Sequence, residues 1–229
     1  MIETYTNSLK QLQTKTYLKT LIAISISALT AMAPVFSRTA YNIFVNLNSA
    51  IGSHSILSII LIFSLIIFSS TRLAMAKTKS ETLAWFIFIP VLLGFFTSFI
   101  FFMYSLGSIA IVFLMTSVYF IVLTLFSYFT KTDFTKYSKI LFVSLISLLI
   151  VSLIGIFFTV GWLNILISMF AIVLFSFYTV HDNQQMVKYV EENNGSDSDN
   201  FEKISYVFAI SLYLDFINLF NNLIRLFGR

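Results

Sequence analysis

Seven apolar runs alternate along the chain with short polar gaps: Tyr17–Phe36, Ile51–Ser69, Leu83–Tyr104, Ile109–Phe129, Ile140–Val160, Leu163–Val180 and Ile204–Ile224. A helix needs about 20 residues to cross roughly 30 Å of hydrocarbon, and each run is close to that length. Helices are the backbone solution that satisfies its own hydrogen bonds in lipid, so the pattern predicts seven spanning helices and an all-α membrane fold. The gaps around Gly107 and Gly161 are so short that the runs on either side must form antiparallel hairpins. Pro34 and Pro90 predict kinks in the first and third helices, while Trp85 and Trp162 fall at run ends, where aromatic residues anchor at the interface.

The seventh run departs from a plain lipid-facing pattern. Ser211, Asp215, Asn218 and Asn222 are spaced four, three and four apart, which places them on one stripe of a helix. A helix facing lipid on all sides has no use for such a seam, so it predicts a helix turned toward the bundle interior. Hydrogen bonding between helices would account for the serine and the asparagines. It does not account for an ionisable group, whose burial in a membrane costs at least a few kcal/mol.

Composition supports the membrane reading. The 229 residues are 58% hydrophobic and only 10% charged, well below the roughly 25% of charged residues typical of soluble domains. There is no cysteine, which removes disulfides, thiolate metal sites and cysteine nucleophiles. The net charge of +4 sits beside apolar runs and reads as membrane orientation rather than nucleic-acid binding. With the N-terminus inside, eleven of the fourteen Lys and Arg residues fall on the inner side, and only Arg38, Arg225 and Arg229 fall outside. This predicts a cytoplasmic N-terminus, with the C-terminus outside if the seventh run spans fully and inside if it is re-entrant. Residues 1–16 are then a cytoplasmic segment, 17–229 a single seven-helix transmembrane domain, and the polar stretch 191–200, "EENNGSDSDN", an acidic cytoplasmic loop. Ala31-Met32-Ala33 resembles a signal-peptide cleavage site, but Pro34 follows it directly and the polar leader is long, so the first helix is expected to stay.

The sixth run ends in "FSFYTVHDNQQMVK" (175–188), where Ser176, Thr179 and Asp182 are three residues apart and share a face. Asp182 alone reads equally well as an interfacial polar residue, and Arg72, at the end of "FSSTR", as a positive-inside residue. Taken together, Asp182, Asp215 and Arg72 are the ionisable groups best placed to meet in the cytoplasmic half of a bundle. Two adjacent carboxylates cannot easily both ionise and so share a proton, whereas arginine keeps its charge and binds carboxylates bidentately. Such a set makes either a pH-sensitive gate or an ion site. Depth is an obstacle: Asp215 lies about 16 Å into the seventh run at 1.5 Å per residue, and Asp182 only one or two turns into the sixth. They meet only if the sixth helix sits deeper, the helices tilt, or a vestibule admits water.

The segments "HDNQQM" (181–186) and "SLYLDFINLFNNLIRLFG" (211–228) resemble the signature of the Bax inhibitor-1 family, the transmembrane Bax-inhibitor-motif proteins. The resemblance is specific over about the last sixty residues and rests elsewhere on the seven-run layout and "FSSTR". It implies a central seventh helix wrapped by the other six and a pH-dependent calcium leak of the cell membrane, as in a bacterial member of the family. By motif, Asp182 and Asp215 would be the paired aspartates that sense protons and transiently bind calcium, and Arg72 the latch that closes the pore by pairing with Asp182. The family commonly reads Tyr-Asp-Thr-Gln where this chain has His181-Asp182-Asn183-Gln184, which leaves the pH midpoint open. His181 could add a second titration or be an interfacial histidine without a role. Ser211, Asn218 and Asn222 are possible modulators.

Oxygen ligands and negative charge suit a hard cation such as calcium, without excluding monovalent cations or protons. The expected partners are calcium ions, protons and the bilayer, with no tightly bound cofactor, no nucleic acid and no identified protein partner. Enzyme chemistries lack their groups. Zinc hydrolysis needs about three protein ligands, and the chain has only His54 and His181; a Schiff-base lysine would have to lie inside the seventh run, and Lys203 lies only at its start. Two rivals use the same residues: a proton-coupled calcium or cation exchanger, and a stress-regulatory interaction protein in which ion flux is secondary. No internal repeat supports an inverted-repeat transporter.

Overall fold

The computed structural model describes residues 2–52, 55–155, 161–193 and 201–229. His54, the last five residues of the fifth predicted run and residues 194–200 of the acidic loop lie outside the described residues. The chain folds as α1 (Ile2–Phe36), α2 (Arg38–Gly52), α3 (Ser55–Met75), α4 (Lys79–Thr97), α5 (Ile100–Met103), α6 (Leu106–Phe129), a 3-10 turn η1 (Phe134–Tyr137), α7 (Ser138–Gly155), α8 (Gly161–Glu192) and α9 (Phe201–Phe227). No strand occurs among the described residues.

Among the described residues six segments are long and apolar enough to cross a membrane: Tyr5–Phe36, Lys79–Met103, Leu106–Phe129, Phe134–Gly155, Gly161–Glu192 and Phe201–Phe227. They correspond to the first, third, fourth, fifth, sixth and seventh predicted runs. The second run falls on α2 and α3, where residues 53 and 54 lie outside the described residues and Ser64–Met75 forms a shorter apolar helix. Large apolar side chains stand exposed along the long helices, among them Leu29, Leu114, Phe129, Val143 and Met169. A soluble monomer does not expose apolar surface on that scale, so these faces meet lipid and the protein is a multi-pass membrane protein. α6 and the α7 segment are mostly exposed along their apolar lengths, whereas more than half of the apolar part of α9 is buried.

Two elements exceed their predicted bounds. α1 begins at Ile2, so the polar N-terminal segment continues the first apolar run as one helix. α8 continues twelve residues past Val180, carrying "HDNQQMVKYVEE" on helical backbone. α2 overlaps the second run only at Ile51 and Gly52, and the rest of it has no counterpart among the seven runs. Its Phe44 stacks on Phe102 with centroids 5.6 Å apart, and it meets Phe95 edge-on at 5.9 Å.

The chain divides into two compact units. One comprises residues 1–13, 104–198 and 211–229, and its core gathers Leu141 and Leu148 of α7, Ile167, Ala171, Leu174 and Phe175 of α8, and Leu219 of α9. Phe113 of α6 meets Phe216 and Phe220 of α9 edge-on, and Phe120 meets Phe216 in the same way. At the far end, Ser105 N–H donates to the Arg229 carbonyl (3.1 Å) and Arg229 N–H to Ser108 Oγ (2.8 Å), tying the chain end to the start of α6.

The other unit comprises residues 14–103 and 199–210. Its α3–α4 turn is organised by Glu81, which accepts from the Lys77 N–H at 3.1 Å while its own N–H donates to the N-cap Thr78 at 3.2 Å. α1 is joined to the start of α9 by Lys19. Its ammonium donates to Glu202 Oε1 (2.7 Å), to the Glu202 carbonyl (3.0 Å) and to Ser205 Oγ (2.7 Å), and lies 3.4 Å from the centroid of the Tyr206 ring. Sequence reading assigns Lys19 to membrane orientation; the structure makes it a buried helix-to-helix tie. Breaking a buried pair costs about 3–5 kcal/mol when a charge is stranded. Glu202 is 44% exposed and keeps Lys15 at 3.2 Å, so Lys19→Met should cost less, about 1–3 kcal/mol. In detergent that is a fall in melting temperature of roughly 2–12 °C. An unchanged melting temperature would show the cluster to be inert.

Candidate functional site

The depth obstacle posed by the two aspartates is removed by helix length. Asp182 lies ten residues before the end of α8, about 15 Å at 1.5 Å per residue. Asp215 lies fourteen residues after the start of α9, about 21 Å by the same rise. Both aspartates thus lie several turns inside long helices, and Asp182 is not the shallow residue that the apolar run alone implies. Asp215 is within electrostatic range of Asp182 and within hydrogen-bonding reach of the Thr179 hydroxyl, one turn before Asp182.

The two aspartates have different surroundings. Asp215 is 4% exposed, and its Oδ2 has no hydrogen-bond partner among the described residues. The Asp182 side chain is 17% exposed and is bonded through Oδ1 to His181 Nδ1 at 2.7 Å. His181 Nε2 is in turn 2.7 Å from Ser138 Oγ, the first residue of α7, and Ser138 Oγ donates to the Thr135 carbonyl at 2.7 Å. Tyr178 stands edge-on to the imidazole, with centroids 6.3 Å apart. Gln184 fastens the preceding loop: it accepts from the Phe134 N–H (2.7 Å) and donates to the carbonyls of Thr132 (3.0 Å) and Ser127 (3.3 Å).

The polar stripe on α9 behaves differently from an interhelical ladder. Asn218 donates to the Leu214 carbonyl (2.7 Å) and Asn222 to the Asn218 carbonyl (2.8 Å), both within α9. Asn221, one position off the predicted stripe, leaves its Oδ1 buried without a partner among the described residues. On α8, Ser176 and Thr179 diverge. Ser176 pairs with the Tyr119 hydroxyl of α6 at 2.8 Å, whereas Thr179 donates to the Phe175 carbonyl of its own helix at 2.9 Å and lies beside Asp215.

Arg72 belongs to the other unit, in the last turn of α3, where it donates to Glu81 Oε1 at 3.1 Å. Their side chains are 47% and 30% exposed, and a pair so open to solvent contributes about 0–1 kcal/mol. The structure therefore brings together Asp182, Asp215, Thr179 and His181, and gives Arg72 a carboxylate of its own that sequence reading did not assign to it. Ser138 was missed, because it reaches His181 from a connection distant in sequence; Gln184, read as part of the motif, binds that connection rather than the aspartates. Among the described residues no three His, Cys, Asp or Glu side chains cluster as metal ligands; the pair offers two carboxylates and a hydroxyl, enough for weak contact with a hard cation.

The family described as "Inhibitor of apoptosis-promoting Bax1" matches residues 9–229. An uncharacterized protein of Borreliella burgdorferi is 34% identical over 91% of this chain and 87% of its own length. An uncharacterized membrane protein of Streptococcus pyogenes serotype M1 is 31% identical over 98% and 96% respectively. The inner membrane protein YbhL of Escherichia coli K12 is 31% identical over 62% of this chain and 61% of its own.

Proposed function

We propose a function from one premise: the chain belongs to the Bax inhibitor-1 family. On this reading it is a pH-sensitive calcium leak channel of the cell membrane, with its N-terminus in the cytoplasm. Residues 17–229 form one transmembrane domain in which α3, 21 residues long, supplies the second of seven spans and α9 is the central helix. It acts without enzymatic chemistry and without a tightly bound cofactor.

The observation that carries the reading is the buried, half-partnered Asp215 carboxylate next to Asp182. A carboxylate in that position needs a cation or a proton, because burial without compensation is costly. When the pair holds its protons it presents no charge to calcium. When it loses them it attracts the divalent ion from the cytoplasmic half of the bundle. Arg72 acts as the latch by exchanging Glu81 for Asp182; the exposed Arg72–Glu81 pair is weak enough to give way.

The test is calcium entry into dye-loaded proteoliposomes between pH 5 and 8, with and without an imposed proton gradient. The channel reading expects entry down the calcium gradient alone, changing several-fold over that range. Arg72→Ala is expected to raise flux at the pH where the wild type conducts least. Flux that needs an opposing proton gradient would identify an exchanger built on the same carboxylates. Absence of flux from folded protein at every pH would leave the interaction-protein reading.

A further inference from the structure

We propose that His181 is a positioning residue that keeps the ion site weak, by occupying one of the two oxygens of Asp182. The inference rests on the reading of Asp182 and Asp215 as the ion's path and adds a determinant of its affinity.

His181 is held by Asp182, Ser138 and Tyr178, with Gln185 Nε2 3.4 Å from its Nε2. Nδ1 is bonded to Asp182 Oδ1 and Nε2 to Ser138 Oγ, each at 2.7 Å, and Tyr178 closes one side of the ring. The residue is only 8% exposed. Ser138 is itself fixed, sitting at the junction of η1 and α7 with its Oγ 2.7 Å from both the Thr135 carbonyl and Nε2; its one proton serves one of them at a time, and goes to Nε2 where Nδ1 alone carries the ring's proton. The imidazole therefore has a defined place, anchored to an element other than its own helix.

The consequence falls on Asp182. An ionised carboxylate only accepts hydrogen bonds, so the proton between them sits on Nδ1 whenever Asp182 is charged. That bond takes Oδ1 and draws charge from the carboxylate, leaving Oδ2 as the oxygen free for a passing cation. Calcium affinity rises with the number and charge of its oxygen ligands, and bidentate carboxylates are among the strongest. An aspartate restricted to one oxygen makes a shallower well, and conduction requires a site the ion can leave. In this arrangement His181 favours passage over retention.

His181→Phe keeps an aromatic ring against Tyr178 and removes both bonds. Ser138→Ala removes the anchor together with the contact to the Thr135 carbonyl, and gives a second variant that leaves the α8 sequence unchanged. Two quantities are measured on purified protein: the calcium concentration giving half-maximal flux in proteoliposomes, and the concentration at which calcium raises the melting temperature in detergent. Both should fall about threefold to tenfold in His181→Phe as Asp182 regains its second oxygen, with a smaller fall in the same direction for Ser138→Ala. Wild-type protein that conducts calcium, with both concentrations unchanged or raised in the two variants, overturns the role of His181 alone. Wild-type protein that neither conducts calcium nor is stabilised by it overturns the ion-path reading, and this inference with it.

Discussion

Asp215→Asn should abolish most of the calcium flux and flatten what remains against pH. At an effective dielectric of about 20, a unit charge 4 Å from another is worth about 4 kcal/mol, and a divalent ion roughly doubles that. Desolvation of the ion removes most of this gain, but a residual of about 1.4 kcal/mol already corresponds to a factor of ten. The asparagine has nearly the same shape and can still bond the Thr179 hydroxyl, so packing of α9 on α8 should survive. A loss of about tenfold or more in flux, with an unchanged melting temperature, is the expected result. Asp182→Asn should also reduce flux, but less, because Asp182 is more exposed and already shares its charge with His181. The two substitutions share one site, so their effects should fail to add in the double variant. Wild-type flux and wild-type pH dependence in both single variants would reduce the pair to a structural feature.

The helical, multi-pass character of the fold was legible because it depends on length and hydrophobicity alone. Six of the seven runs coincide with helices long and apolar enough to span. What escaped were features set by packing. α2 combines Arg38, Asn42, Asn46 and Asn48 with Tyr41, Phe44 and Val45, too mixed for a hydropathy criterion and too short to span. The extension of α8 to Glu192 escaped for a related reason: polar residues that continue an apolar helix look like a loop when only apolar length is counted.

The same error created the depth obstacle, since Asp182 looked shallow only while α8 was thought to stop at Val180. For the site, the ionisable residues could be picked out because charge is rare in these runs, but their partners could not. Nothing in the sequence places Ser138, forty-three positions away, on the ring of His181. Nor does it give Arg72 to Glu81 rather than to another carboxylate. The asparagines at 218 and 222 share a predicted face, yet spacing alone does not reveal that their amides bond their own helix.

Gly94→Ala should be among the most damaging single-methyl changes in the protein. Gly94 is buried on α4 against α1, and a Cβ built there would collide with the Thr30 hydroxyl and the Ser27 carbonyl and approach Ser27 Cα to 2.9 Å. The threonine side chain could rotate at the expense of its bonds to the Ile26 and Ser27 carbonyls. The Ser27 backbone cannot move without displacing the helix, so α1 and α4 must separate. In lipid the close approach of backbones at small residues is a main source of helix association, because apolar burial between helices adds little. Overpacking a tight contact costs about 1–3 kcal/mol and occasionally more, which for a chain of this size lowers the melting temperature by roughly 2–4 °C per kcal/mol. Gly107→Ala is the control. A Cβ at Gly107 meets nothing within 4 Å, and alanine is the better helix former by about 1 kcal/mol. The expected order of melting temperatures in detergent is Gly94→Ala well below wild type, with Gly107→Ala equal to it or slightly above. If Gly94→Ala melts with the wild type, α1 and α4 are not in the close contact on which the prediction rests; Gly94→Leu, folded to the same yield, would make the same point more strongly.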